Sequence, residues 1–283
     1  ALLSDNVVFQ RLGLVITDEQ HRFGVMQRAA LAEKSKSVHT LVMSATPIPR
    51  TLSLVIYGEL AVSRLDEMPK GRQKVDTFVV NESYRARLDG FIKKQVSEGH
   101  QVYVICPTVE ENTGSQIDES TETNAEEMSD MELSFNDSES KPPLKSAVNY
   151  AAELIEKLPE LKIACVHGKM KAHEKEKTMS DFAAGKIDVL VSTTVIEVGV
   201  NVPNATLVIV ENAERFGLSQ LHQIRGRVGR GNAKSYCVLV SDSNSENAKR
   251  RLDVMRSSND GYKIAEEDLL LRGPGDFLSS DGE

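Results

Sequence analysis

Short apolar runs alternate with longer stretches of mixed polarity along most of this chain. The runs are LGLVIT at 12–17, VHTLVM at 38–43, VDTFVV at 75–80, QVYVIC at 101–106, KIACV at 162–166, DVLV at 188–191, ATLVIV at 205–210 and YCVLV at 236–240. Continuous runs of this length, rich in Val, Ile and Leu, mark strands buried on both faces. Between them apolar residues recur at helical spacing. Phe23, Met26, Ala30 and Leu31 do so within 23–33, and 48–57, 83–98, 154–158 and 175–183 continue the alternation. Strands separated by helices predict a parallel sheet covered on both faces, an α/β fold. Past Ser241 the pattern turns helical, over 246–255 and 264–271.

Two stretches break the alternation. Residues 65–74 hold Pro69 and Gly71 among Lys70, Arg72 and Lys74, which reads as a hinge between domains. Residues 113–143 are rich in Ser, Thr, Asn, Asp and Glu, poor in large apolar side chains, and end in Lys141-Pro142-Pro143. Such a stretch cannot bury enough surface to offset its ordering entropy, so a disordered acidic insertion is expected there. The insertion also changes the reading of charge. The 283 residues together carry −8, which argues against a nucleic-acid partner. Eleven carboxylates and no Lys or Arg fall within 110–140, and without them the remainder stands at +3. The sheet-forming part is mildly basic. No apolar run is long enough to span a membrane, so no membrane partner is expected. Cys106, Cys165 and Cys237 each lie inside an apolar run and are expected as buried thiols, in keeping with a reducing compartment.

Candidate chemistry sits at the ends of the runs. The first ends in Asp18-Glu19-Gln20-His21. A parallel strand delivers such residues to its carboxyl-terminal edge, where ligands of open α/β sheets collect. One carboxylate there can hold Mg²⁺, and its neighbour can orient or deprotonate an attacking water. The second run ends in Ser44-Ala45-Thr46, hydroxyls that suit a helix cap before Pro47 or a switching hydrogen bond. Far downstream, 214–231 reads ERFGLSQLHQIRGRVGRG. It sets Arg225, Arg227 and Arg230 among glycines, after Gln220, His222 and Gln223. Guanidinium forks match phosphate oxygens two at a time, and glycines let the backbone close on a ligand.

Together these residues carry a resemblance. DEQHRFG at 18–24, MSATPIPRTL at 43–52, the stretch 212–231 and DGYKIAEEDLLLRGPGDF at 260–277 resemble the RecG family of superfamily 2 DNA helicases. The resemblance covers nearly the whole chain apart from the insertion. The Mfd family of transcription-repair coupling factors shares the motor, but Asp18-Glu19-Gln20-His21, Glu214-Arg215-Phe216 and Pro69-Lys70-Gly71-Arg72 look more like RecG.

The resemblance implies RecA-like lobes: the carboxyl-terminal half of the first in 1–64, a linker in 65–74 and a complete second lobe in 75–242. Residues 243–283 would begin the helical element that converts lobe closure into DNA movement. It implies an ATP-dependent translocase that remodels stalled forks and Holliday junctions, a monomer using ATP and Mg²⁺. Asp18, Glu19, Gln20 and His21 would act in hydrolysis, with Mg²⁺ on Asp18 and Glu19. Arg227 and Arg230 would reach the γ-phosphate, and Gln223, Glu197 and Gly199 would face the nucleotide. Ser44, Thr46, Thr108, His167, Lys169, Thr193, Thr194 and Arg272 would contact DNA or couple its movement to hydrolysis.

The Gly-x-x-x-x-Gly-Lys-Ser/Thr loop that cradles phosphates occurs nowhere in these residues, so they alone are expected to bind ATP weakly and not to turn it over. With a start in mid-motif at Ala1, this makes a fragment of a longer motor the expectation. A non-catalytic DNA-binding or interaction module and a polymerase-pushing coupling factor are the alternatives. The acidic insertion suits a plant-type organellar homologue in chloroplast or mitochondrion; a bacterial source would place the protein in cytoplasm or nucleoid.

Overall fold

The structure, a computed structural model, describes residues 7–18, 38–44, 61, 63, 65, 67, 73–108, 145–193 and 202–272. Two sheets occur among them, both parallel throughout. β1 (Leu14–Thr17) pairs with β2 (His39–Val42), Leu14 beside His39 and Thr17 beside Val42. Burial on both faces, expected from the sequence, does not hold for this pair. Val15 and Thr17 are buried, whereas Leu14 and Ile16 are 54% and 56% exposed and β2 is largely open. Alternation of this kind belongs to a strand covered on one face, and no described residue covers the other. The helices expected at 23–33 and 48–57 lie outside the described residues.

The second sheet has six strands in the order β3-β8-β7-β4-β6-β5. They are β3 (Asp76–Val80), β4 (Gln101–Cys106), β5 (Ile163–Val166), β6 (Val189–Thr193), β7 (Ala205–Val210) and β8 (Tyr236–Val240). β4, β6 and β7 are buried at every residue, the expected mark of central parallel strands. Alternate residues of β4 enter different cores. Val102, Val104 and Cys106 join Leu88 and Ile92 of α1 (Arg85–Ser97) with Tyr150 and Leu154 of α2 (Ala147–Lys157). Tyr103 and Ile105 instead join Met179 and Phe182 of α3 (Ala172–Ala183) with Leu218 and Leu221 of α4 (Leu218–Arg225). Leu252 of α5 (Glu246–Ser257) and Ile264 of α6 (Gly261–Arg272) complete that second core. The Tyr103 and Phe182 rings meet with centroids 4.9 Å apart. Each fully buried side chain of this size contributes roughly 1.5–3 kcal/mol.

The sheet closes without the acidic stretch. Thr108 and Ser146 form a bridge, and the Ala147 N–H donates to the Thr108 carbonyl at 2.9 Å. The chain therefore leaves and rejoins the fold at one point, and the Ser146 hydroxyl caps α2 by accepting the Asn149 N–H at 3.2 Å. The disorder expected over 113–143 lies outside the described residues. Cys106 and Cys237 are buried and Cys165 half-buried, all as free thiols. Burial pushes each thiol up, Cys165 to about 11 and Cys237 to about 12. Among the described residues no helix is long and apolar enough to cross a membrane.

Candidate functional site

All six strands run the same way, so the carboxyl-terminal edge of the sheet gathers residues that are distant in sequence. Cys106 of β4 lies beside Thr193 of β6, and Val166 of β5 beside Ser192. The ends of these three strands therefore set Thr108, Thr193 and His167 in one row, with Lys169 exposed just beyond. All four are among the residues expected to meet DNA. Thr193 is only 4% exposed. Its Oγ1, the Oγ1 of Thr108 and the Nδ1 of His167 are buried without a hydrogen-bond partner among the described residues. An unpaired buried polar atom costs about 1–3 kcal/mol, so these three along one edge call for partners beyond the described residues. In the small sheet, Asp18 and Ser44 lie exposed at the matching ends of β1 and β2. Glu19, Gln20, His21, Thr46, Thr194, Glu197 and Gly199 lie outside the described residues. Arg272 closes the backbone of α6.

The arginine loop is at the opposite edge. α4 follows β7 and runs back along the sheet to deliver residues 226–231 beside the amino-terminal ends of β3, β7 and β8. Gly229 has φ +74°, and a Cβ there would lie 2.8 Å from Val75 Cγ2. A Cβ on Gly231 would lie 2.6 Å from the Pro203 carbonyl oxygen. Val228, just before Gly229, is fully buried. These three residues hold the loop down, and only glycine fits the two close approaches. The half-buried Arg227 donates its backbone N–H to the Ile224 carbonyl at 3.0 Å, but its guanidinium makes no hydrogen bond or ion pair to a described residue, while Arg230 Nε donates to the Gly226 carbonyl at 3.1 Å. Burial pushes the Tyr103 hydroxyl up to about 12, against the opposing pull of the Arg227 and Arg230 charges. Gln223 sits half-buried on the last turn of α4. The structure thus groups Gln223, Arg227 and Arg230 and parts them from the Thr108–Thr193–His167 row by the length of the strands. An unpaired guanidinium on a glycine-anchored loop fits a polyphosphate.

Arg225 has a different place from its neighbours. It is buried, and its Nη1 donates to the carbonyls of Met255 and Ser258, each at 2.8 Å, and to Thr77 Oγ1 at 3.3 Å. Its Nη2 lies 3.2 Å from His222 Nδ1. It caps the carboxyl end of α5, where a cation is favoured. Two further bonds fasten the α5–α6 pair to the α4 region: Ser219 Oγ donates to Asp268 Oδ2 at 3.0 Å, and Arg251 Nη2 to the Glu214 carbonyl at 2.8 Å.

One cluster escaped the sequence reading. Arg85, on the first turn of α1, donates from Nη1 and Nη2 to the two carboxylate oxygens of Glu211 at 2.7 and 2.8 Å. It also bonds Glu82 and the Tyr150 hydroxyl, and stacks its guanidinium 5.2 Å from the Tyr150 ring centre. Burial pulls the Arg85 pKa down, but Glu211 and then Glu82 more than reverse this. The readable signal was Glu211 itself, a carboxylate that ends the apolar run 205–210 much as Asp18 ends the first.

Among the described residues no group of three or more His, Cys, Asp or Glu is placed to hold a metal ion. Asp18 alone, an exposed carboxylate at a strand end, suits a hard cation that keeps most of its waters.

Against this geometry stand the comparisons with known proteins. The family model described as helicase conserved C-terminal domain matches residues 83–232. An ATP-dependent DNA helicase RecG from Synechocystis sp. is 48% identical over 99% of this chain, which covers 31% of that protein. RecG from Bacillus subtilis is 44% identical over 98% of this chain and 37% of its own length. The chain thus spans about a third of the relatives it matches. A solved structure of RecG bound to a three-way DNA junction aligns with 96% of the chain and 32% of its own, at 41% identity and a TM-score of 0.69. Yeast Dbp5 bound to RNA and ADP BeF3 aligns over 93% of the chain and 63% of its own at 14% identity and a TM-score of 0.54, a likeness of fold alone. The parallel α/β fold is RecA-like, as in these helicases.

Proposed function

Because the chain belongs to the helicase conserved C-terminal domain family, we propose that it is part of an ATP-dependent translocase of the RecG kind, remodelling stalled forks and Holliday junctions as a monomer. In this reading 1–64 complete the first lobe, 65–74 link, 75–242 form the second lobe, and 243–283 begin the element that moves DNA. The observation that carries it is the separation of two phosphate-ready surfaces on one sheet, the arginine loop at one edge and the Thr108–Thr193–His167 row at the other. The RecG structure bound to a three-way junction supports branched DNA as the partner.

Arg227 and Arg230 meet the γ-phosphate and spread its charge during transfer, an effect on the order of 10³–10⁵ in rate. Gln223, with Glu197 and Gly199, lies on the nucleotide side. Asp18 and Glu19 hold Mg²⁺, which when bound neutralises charge on the β- and γ-phosphates. Glu19, Gln20 and His21 place the attacking water. At the other edge the Thr108, Thr193 and Thr194 hydroxyls, His167 and Lys169 take DNA phosphates, contacts that position without reading bases. Ser44, Thr46 and Arg272 couple the two events. Hydrolysis also needs the phosphate-cradling loop that these residues lack, so this stretch alone does not turn ATP over. The test is Arg230→Ala in the full-length protein. DNA-stimulated hydrolysis should vanish while ATP binding stays largely intact; near-normal turnover contradicts the assignment.

A further inference from the structure

Glu211 directly follows β7, at the point where four parts of the fold meet. Its N–H donates to the Ile105 carbonyl of β4 at 2.8 Å. Asn212 follows in the left-handed region, φ 47°, and its Oδ1 accepts the Lys145 N–H at 2.8 Å. Lys145 directly precedes Ser146, the bridge partner of Thr108. The chain then makes a single turn at Ala213–Arg215, buries Phe216 and enters α4, which ends at the arginine loop. Residues 211–216 therefore join the Thr108 end of the polar row to the helix that carries Gln223 and leads to Arg227. Arg85 clamps this junction from α1.

Stability gives little reason for an ion pair here. The Arg85 side chain is 10% exposed and that of Glu211 is 1%. Buried pairs of this kind often gain nothing over an apolar pair of equal volume. A cation on the first turn of a helix also opposes the helix dipole. What the two parallel N–H···O bonds supply is direction, because a guanidinium–carboxylate fork is planar and tolerates little rotation.

We propose that Arg85 and Glu211 are a positioning pair that holds the 211–216 junction in register between the DNA-facing row and α4, so that DNA contact raises hydrolysis. The proposal rests on the ATP-driven DNA translocase reading above. Neither residue touches nucleotide or DNA in it.

The experiment uses the full-length protein and the variants R85M/E211L, which keeps the volume and removes both charges, and R85K, which keeps the charge and removes the fork. Thermal unfolding, hydrolysis without DNA and hydrolysis with a three-way junction are measured for each. Both variants should still unfold cooperatively, somewhat below the parent temperature because the buried Tyr150 hydroxyl loses its Arg85 partner, and should hydrolyse ATP without DNA at the parent rate. Their stimulation by the junction should fall roughly tenfold. Parent-level stimulation in R85M/E211L overturns the proposal. If that variant does not fold, R85K decides alone: tenfold loss with the fold kept supports the pair, and parent-level stimulation rejects it. A parent protein that DNA does not stimulate sinks the translocase reading and this inference with it, whereas stimulated variants beside a stimulated parent sink this inference alone.

Discussion

Replacing Arg225 by methionine separates an arginine that serves the fold from the two proposed to meet the γ-phosphate. The guanidinium makes two 2.8 Å bonds to the carbonyls of Met255 and Ser258. Charge-assisted bonds of this kind contribute roughly 1.5–3 kcal/mol each, and each carbonyl left bare in the interior costs about 1–3 kcal/mol. Against this stands the cost of holding the cation away from water, visible in the downward pull of burial on the Arg225 pKa. Methionine keeps most of the volume, so little cavity cost is added. The balance is a loss of about 2–4 kcal/mol. Amide hydrogen exchange on the chain, with urea unfolding beside it, reads both size and place. Protection should drop across α5 and α6 while β4 and β6, buried at every residue, keep theirs. A loss below about 0.5 kcal/mol with α5 still protected refutes the capping role.

Three further outcomes follow from the same geometry. Thr193→Val removes a buried hydroxyl with no partner among the described residues; the variant should gain roughly 1 kcal/mol in urea unfolding yet bind three-way-junction DNA more weakly by fluorescence anisotropy. Equal or tighter binding would remove Thr193 from the DNA contact. Gly229→Ala must accommodate φ +74° and a Cβ 2.8 Å from Val75 Cγ2, and should cost about 1–3 kcal/mol by thermal unfolding; an unchanged melting temperature would show that the loop is not anchored there. Stability should also fall on the alkaline side. Cys165 and Cys237 keep their protons to about 11 and about 12 in the fold, while an unfolded thiol releases its proton near roughly pH 8.5. These raised pKa values contribute stability that is full below that pH and lost as pH rises toward the folded values. Urea midpoints at pH 8 and at pH 10.5 should differ, less so in C165A/C237A. Identical slopes in parent and variant would reject the thiols as the cause.

The continuous run at 236–240 reads directly as β8, residue for residue, because a strand buried on both faces needs no partner pattern to reveal it. The run at 12–17 looks equally continuous, yet Leu14 and Ile16 are exposed. Composition alone does not say which faces are covered. Gln223, Arg227 and Arg230 were legible as a group since glycine spacing forces a close-packed loop. Arg225 was not distinguishable from them by residue type. Helical period did hold the distinction: Leu218, Leu221 and Arg225 are the buried positions of α4, one stripe. The Arg85–Glu211 pair joins positions 126 apart in sequence, and only strand order brings them together. The row of Thr108, Thr193 and His167 is likewise a product of the β4-β6-β5 adjacency, which crossovers decide and local pattern does not.

In the proposed function, nucleotide and DNA meet opposite edges of one sheet. Hydrogen exchange on the full-length protein, with a three-way DNA junction alone and with a non-hydrolysable ATP analogue alone, tests it most directly. The junction should protect amides at 167–171 and 192–193 and leave 226–231 unchanged, and the analogue should protect 226–231. Protection of 226–231 by the junction alone, with none at the strand ends, would contradict the account.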